Sequence, residues 1–302
     1  MARTAKTDWN TTVRAHYRLV PNMLGLQVLR TLAYHLQWRA RRNLLGNKTA
    51  PSAEATSMEQ DGFLVIRNFL DDDLYRELRE FYYAEVAKHP EPTNVGPKLL
   101  APILSDPRKP APAPDVIKRA FTENPRLNEI VEYCSAHTQN VGPLVRLHHY
   151  FVNESDVGIR ETAQTDELHY DLPLNHMRAF YFVEECSRDN AAFEFAARSH
   201  RFNRNRLYAE YHDSIVQSRA RQNKPDAKAA PIREDLIKLL EAKPEPLEAP
   251  GNSLVLFNTM GLHRRGVFAR AGTREAILID YRFLDTKANY RGYKGLTRWL
   301  RP

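Results

Sequence analysis

The chain of 302 residues carries only two cysteines, Cys134 and Cys186, too few for a disulfide framework and not spaced as a C-x-x-C metal knuckle. Both read as buried thiols. No run of eighteen or more uncharged apolar residues occurs, and residues 1–10 lack the apolar core of a leader peptide, so neither spanning nor secretion is expected and a cytoplasmic location is. Acidic residues are the minority: 37 Asp and Glu against 44 Lys and Arg leave a formal charge of +7. That balance favours anionic partners in general, without choosing among a phosphorylated or carboxylated substrate, a lipid surface and nucleic acid. With 42% hydrophobic residues, the chain can bury one large core with helical decorations and does not require a second independent domain.

Residues 21–42 place Leu24, Val28, Leu29, Leu32 and Leu36 at helical spacing, with Arg39, Arg41 and Arg42 at the C-terminal end. This predicts an amphipathic N-terminal helix with a basic end, suited to packing on the main domain or to touching a membrane surface. Residues 46–57 are small and polar and read as a linker, so residues 1–57 form an N-terminal appendage and the main domain starts near Met58. A short β-prone run at 62–66 leads to the helix cap Asp71-Asp72-Asp73 and a helix presenting Leu74, Leu78, Phe81 and Tyr82. Dense prolines between His89 and Pro114 predict an extended loop, and a second helix follows at 124–137.

Short strands are predicted at 144–152, 168–171, 178–185, 192–196, 253–257, 262–268 and 274–283, separated by turns as in a barrel or sandwich. Residues 203–247 are charged and helix-prone and read as a helical insertion in a β domain. In the tail, 285–302, basic and aromatic residues alternate. That pattern is compatible with phosphate contact, but packing with solvated charges is the better reading, and nothing in the core asks for nucleic acid.

The chemistry begins at His169-Tyr170-Asp171. On a strand, the period of two sends His169 and Asp171 to one face, where both can bind one metal. By itself this is a weak signal, because any histidine can be satisfied by hydrogen bonds in the core. The block 251–263 adds a strand and a turn that deliver His263, placed to complete a set of two histidines and one carboxylate. Such a set holds Fe(II) on one triangular face and leaves three positions open, as an oxygenase requires. Arg274 follows His263 by 274 − 263 = 11 residues, on the next predicted strand, where its guanidinium can grip a carboxylate bidentately.

Three stretches, Asp61 to Leu70, His169 to His200 and Gly251 to Phe283, resemble the phytanoyl-CoA dioxygenase family of Fe(II)/2-oxoglutarate oxygenases, over residues 58–284. The resemblance implies a mainly β fold with flanking helices, a double-stranded β-helix (jelly-roll, cupin-like) core. It implies that His169, Asp171 and His263 are the iron ligands and that Arg274 binds the far carboxylate of 2-oxoglutarate. It further implies that O2 is used to oxidise a small-molecule substrate while 2-oxoglutarate is decarboxylated to succinate. Because Asp171 is present, hydroxylation is expected over the chlorination carried out by relatives lacking that carboxylate.

The sequence departs from the family pattern at turn positions. Ala191 stands where glycine is usual, Ala197 and Arg198 replace a Pro-Gly pair, and Asn252 replaces an acid. Two departures bear on the cosubstrate pocket: Arg265 at a place that is often small and polar, and Phe180 where tryptophan is common. His148 and Tyr150 share a strand face with Arg146 and are further pocket candidates. His200 reads as structural, and Arg264 as either an anion contact or a surface residue. The substrate is expected to be anionic and partly apolar, since arginines and Phe180, Phe182 and Phe193 flank the site. A cupin-like protein that binds a ligand without turnover is the alternative of another class.

Overall fold

A computed structural model describes residues 19–46, 52–89, 98–107, 109, 112–136, 140–159, 167–171, 176–223 and 232–283. The predicted basic and aromatic tail lies outside the described residues. Helices α1 (Leu19–Met23), α2 (Leu26–Gly46) and α3 (Ala53–Asp61) lead to β1 (Phe63–Ile66) and α4 (Asp72–Ala87). Strands β2 (Lys98–Leu100) and β3 (Ile103–Ser105) precede α5 (Asp115–Ile117), a π-helical turn (Lys118–Thr122) and α6 (Pro125–Ser135). Next come β4 (Asn140–Val152), β5 (Met177–Phe182), β6 (Phe193–Ala196), α7 (Arg204–Asn223) and α8 (Glu234–Leu239). Strands β7 (Pro244–Pro246), β8 (Ser253–Asn258), β9 (His263–Arg265) and β10 (Gly272–Phe283) complete the order.

The strands form two antiparallel sheets. The larger runs β1-β8-β5-β10-β4-β2, with β3 also paired to β4; the smaller runs β7-β6-β9. Alternation along each strand of the larger sheet divides its side chains between two cores. Ala179, Tyr181, Leu254, Leu256, Ile277 and Ile279 face α3, α4 and α6, where Met58, Leu78, Tyr82, Leu127 and Ile130 meet them. Phe182, Val255, Phe257 and Ala276 face the opposite way, onto Phe193 and Phe195 of the small sheet. Each large apolar side chain so enclosed contributes roughly 1.5–3 kcal/mol. Helices α7 and α8 close the far side of the small sheet, where Ala209 and Leu236 pack on Leu168, Ala196 and Leu262. The layers are those of a jelly-roll core, but among the described residues the sheets stay open and do not hydrogen-bond into a barrel.

Local chemistry accounts for the helix boundaries. Asp71 caps α4 by accepting from Leu74 N at 2.9 Å, and Asn124 caps α6 by accepting from Leu127 N at 3.0 Å, with Pro125 in the first turn. The predicted linker is shorter than expected. Ser52 caps α3, which begins at Ala53 and buries Ala55 and Met58, because one face of that small-residue segment fits the core. The predicted N-terminal helix is broken at Gly25, whose φ of +82° suits glycine.

The orientation of α2 also differs from expectation. Leu24, Leu29 and Leu36 are exposed, while Asn22, Gln27, Arg30 and Thr31 are buried. The reason lies in α7, whose facing side offers polar partners: Asn22 Nδ2 donates to Ser218 Oγ at 3.0 Å and Gln27 Nε2 to Glu210 Oε2 at 3.4 Å. Among the described residues no helix is long and apolar enough to cross a membrane.

Candidate metal centre and anion pocket

His169 and His263 exchange backbone hydrogen bonds, His169 N to His263 O at 3.1 Å and His263 N to His169 O at 2.8 Å. The predicted strand at 168–171 is reduced to this single bridge, because the next amide available for pairing, Asp171 N, donates to Thr259 O at 3.0 Å instead. Both segments therefore hang on residues 259–263. That stretch is a tight turn: Gly261 N donates to Asn258 O at 2.9 Å, and Met260 N to Asn258 Oδ1 at 3.0 Å. Gly261 has to be glycine, since a β-carbon there would come within 2.7 Å of Phe195 Cε2.

The side chains converge. One ligand atom each from His169, Asp171 and His263 lies within 4.8 Å of the others, close enough to hold one metal ion. His169 Nε2 is 3.9 Å from Asp171 Oδ1, and His263 Nε2 is 4.0 Å from Asp171 Oδ2. Each imidazole has its other nitrogen against a carbonyl, His169 Nδ1 to Glu167 O at 2.7 Å and His263 Nδ1 to Gly261 O at 2.8 Å. A carbonyl only accepts, so both Nδ1 atoms carry the proton and both Nε2 atoms present a lone pair, the state a metal ligand needs. Burial pushes the His263 imidazole down to about 4 against the opposing pull of Asp171, which keeps it neutral at pH 7.

Three residues not singled out in the sequence complete the centre. Arg178 Nη1 donates to Asp171 Oδ2 at 2.5 Å, and its Nε donates to Asp280 Oδ1 at 3.2 Å. His176 Nε2 lies 2.8 Å from the same Asp280 oxygen. Burial alone would raise the Asp171 carboxyl, but Arg178, His263, His169 and His176 together outweigh it and hold it below the ordinary value. With Oδ2 taken by Arg178, Oδ1 is the oxygen left for a metal. The signal for Arg178 was present as a charged residue in phase with Phe180 and Phe182 on β5, but its partners lie on other segments.

Deeper between the sheets lies a second polar group of residues. Arg274 is 4% exposed and its guanidinium sits 4.5 Å from the Tyr150 ring centroid; Arg265, 8% exposed, sits 4.9 Å from the same ring. Arg274 Nη1 donates to Ala191 O, while its Nε is buried with no acceptor among the described residues. Burial lowers the Arg274 guanidinium from its ordinary value, and Arg265 adds to that pull. His148 packs 5.2 Å from Tyr150 and 5.6 Å from Phe180. Burial drives it down to about 3, and Arg274, Arg265 and Arg146 push the same way. His148, Asp171 and Arg178 are each partly exposed. A carboxylate is the ligand that would answer both the positive potential and the unused donor of Arg274.

The candidate residues are joined by contacts: His263 packs on Phe193, Phe193 on Phe180, Phe180 on His148 and His148 on Tyr150, whose ring lies against Arg274 and Arg265. Arg264 turns outward and pairs with Glu194 at 2.6 Å. His200 is structural, its Nε2 3.0 Å from Glu59 O. Cys134 and Cys186 are free and buried. At turn positions, Ala191, Arg198 and Asn252 adopt φ of +62°, +66° and +57°, the left-handed region that favours glycine. Asn252 also fastens its turn, accepting from Leu70 N and Tyr181 Oη at 3.0 Å each.

These two sheets enclosing a His-Asp-His cluster define the fold shared with known jelly-roll proteins. A crystal structure of the epimerase SnoN in complex with Fe3+, alpha ketoglutarate and nogalamycin RO aligns with a TM-score of 0.50 at 13% identity, covering 76% of this chain and 81% of that one. EctD from S. alaskensis, in its apoform, aligns with the same TM-score and identity over 78% of each chain. No family model matches the sequence, and no curated protein does.

Proposed function

We propose that this protein is an Fe(II)- and 2-oxoglutarate-dependent dioxygenase that hydroxylates, or otherwise oxidises, a small organic molecule, and that it is phytanoyl-CoA dioxygenase-like. The observation that carries the reading is the convergence of His169, Asp171 and His263, with both imidazoles held in the metal-binding tautomer, at the mouth of a chamber that ends on Arg274. The SnoN structure, which shares the fold, holds iron and alpha ketoglutarate. When bound, a ferrous ion with 2-oxoglutarate and O2 supplies the oxidation of an unactivated C–H bond, coupled to loss of CO2 and formation of succinate.

The chain's own residues supply binding, orientation and exclusion of water. His169, Asp171 and His263 would hold the metal, and the Gly261 and Glu167 carbonyls keep the rings turned toward it. Arg178 occupies one oxygen of Asp171 and so fixes the plane of the carboxylate. Arg274 would take the far carboxylate of the cosubstrate, and Tyr150 shields that ion pair on one face. Phe193 and Phe257 pack against His263, and Phe180 packs against Phe193, Phe257 and Phe182, giving the site an apolar wall that suits a partly apolar substrate. An apolar wall limits side reactions with water.

The test is anaerobic calorimetry of 2-oxoglutarate binding. The reading expects binding that needs Fe(II) and that weakens about 10–100-fold in Arg274→Ala, the value of a charge-assisted contact. Affinity indifferent to both the metal and Arg274 would overturn it.

A further inference from the structure

Behind the three ligand residues, on the side away from the chamber, lies a buried polar cluster that the proposed chemistry does not use. Tyr170 stands between His169 and Asp171 and is turned the opposite way, toward α7. Its hydroxyl donates to Asp213 Oδ2 at 2.8 Å and lies 3.3 Å from Glu210 Oε2. Arg206, 1% exposed, places its guanidinium 4.4 Å from the Tyr170 ring centroid. It donates from Nε to Glu210 Oε1 at 2.9 Å, and from Nη1 to Ser199 O at 3.0 Å and Met260 O at 2.8 Å. Ser199 in turn accepts from Leu262 N on its hydroxyl at 2.7 Å.

These contacts reach both segments that carry the ligands. Tyr170 belongs to the His169–Asp171 segment, while Met260 and, through Ser199, Leu262 belong to the turn that delivers His263. We propose that Arg206 is a positioning residue that sets the distance between these two segments before a metal arrives; the proposal rests on reading His169, Asp171 and His263 as metal ligands. Stability does not explain such a residue. A fully buried Arg–Glu pair carries a desolvation cost that its attraction barely repays, and an apolar pair of similar volume packs as well or better. What an apolar pair cannot supply is a planar fork that holds a carboxylate on one edge and two carbonyls on the other while its centre sits over an aromatic ring. The ligand atoms already lie within 4.8 Å of one another with that fork in place.

The experiment is an anaerobic Co(II) titration followed by visible d–d absorption, paired with thermal unfolding of the metal-free protein. The variant is Arg206→Met/Glu210→Met, which removes the ion pair as a unit and leaves Asp213 with the Tyr170 hydroxyl as its donor. The double variant is expected to unfold near the wild-type temperature, yet to bind Co(II) about 10–100-fold more weakly, the range found when groups that orient metal ligands are removed, with an altered d–d spectrum. A folded double variant with the wild-type affinity and spectrum would overturn the proposal. Should the methionine pair fail to fold, Arg206→Lys decides: it keeps the charge beside Glu210 but has no planar fork. Weakening of about tenfold or more supports the proposal, and wild-type affinity overturns it. Failure of the wild type itself to bind Co(II) would overturn the metal reading, and this inference with it.

Discussion

Gly261→Ala tests how tightly the turn before His263 is built. A β-carbon at this position would lie 2.7 Å from Phe195 Cε2, and closer still to Cζ, whereas carbon atoms pack at roughly 3.5–4.0 Å. Something must move by about 1 Å. Phe195 has nowhere to go: it is 1% exposed, with Phe63 at 5.5 Å and Phe193 and Phe257 at 6.3 Å between ring centroids. The turn must yield instead, and it carries the carbonyl that orients His263 Nδ1 at 2.8 Å. Overpacking of this kind costs about 1–3 kcal/mol, which for a chain of this size lowers Tm by about 2–5 °C. The Co(II) affinity should fall in parallel. Phe195→Leu leaves a void when made alone, yet in combination with Gly261→Ala it should recover part of the loss, with a coupling of about 0.5–3 kcal/mol. Thermal unfolding and Co(II) titration of the four proteins measure both effects. Wild-type Tm and affinity in Gly261→Ala, or strict additivity in the double variant, would refute the reasoning.

Other perturbations follow from the same geometry. Arg198→Gly should stabilise the chain by about 0.5–1 kcal/mol in denaturant unfolding, because a residue with a β-carbon pays about 1 kcal/mol or more at φ +66°, and the surface ion pair it makes with Asp61 is worth little. The metal-free protein should lose stability as pH falls below about 6.5. His148 and His200 are held near 3 and 4, chiefly by burial, so the unfolded chain takes up their protons first. Each contributes up to about 1.4 kcal/mol of loss per pH unit until its folded pKa is reached. A Tm unchanged between pH 7 and 5 would contradict that burial. Arg178→Met, which leaves Asp171 and Asp280 without their shared cation, should cost about 3–5 kcal/mol. Added Co(II) should then raise its Tm by more than that of the wild type, and equal rises would argue against the Arg178 contact.

What the sequence made legible was local in kind. Short strand-prone runs separated by turns located β4, β5, β8 and β10, and the H-x-D spacing put His169 and Asp171 on one side. The capping signal at Asp71 placed α4. What stayed hidden depends on partners far away in the chain. Arg206 reads as one more charge on a polar helix, and only the fold brings it to Tyr170 and Met260. Arg178 and Asp280 meet because β5 and β10 pair in the register Arg178↔Asp280, which no short pattern encodes. The leucines of α2 suggested an apolar contact face, yet the facing side of α7 is polar, so the polar face of α2 is the buried one. The left-handed backbone of Asn68, Ala136 and Glu241 also stayed hidden, because no glycine stands there to announce it.

The central claim is that one chamber holds a ferrous ion at His169, Asp171 and His263 and a 2-oxo acid reaching to Arg274. Anaerobic addition of Fe(II) and then 2-oxoglutarate, watched for the visible metal-to-ligand charge-transfer band, tests it without knowledge of the substrate. The account predicts a band in the wild type that vanishes in His169→Ala and needs far more 2-oxoglutarate to appear in Arg274→Ala. No band in the metal-loaded wild type, or a band unchanged by either substitution, would contradict it.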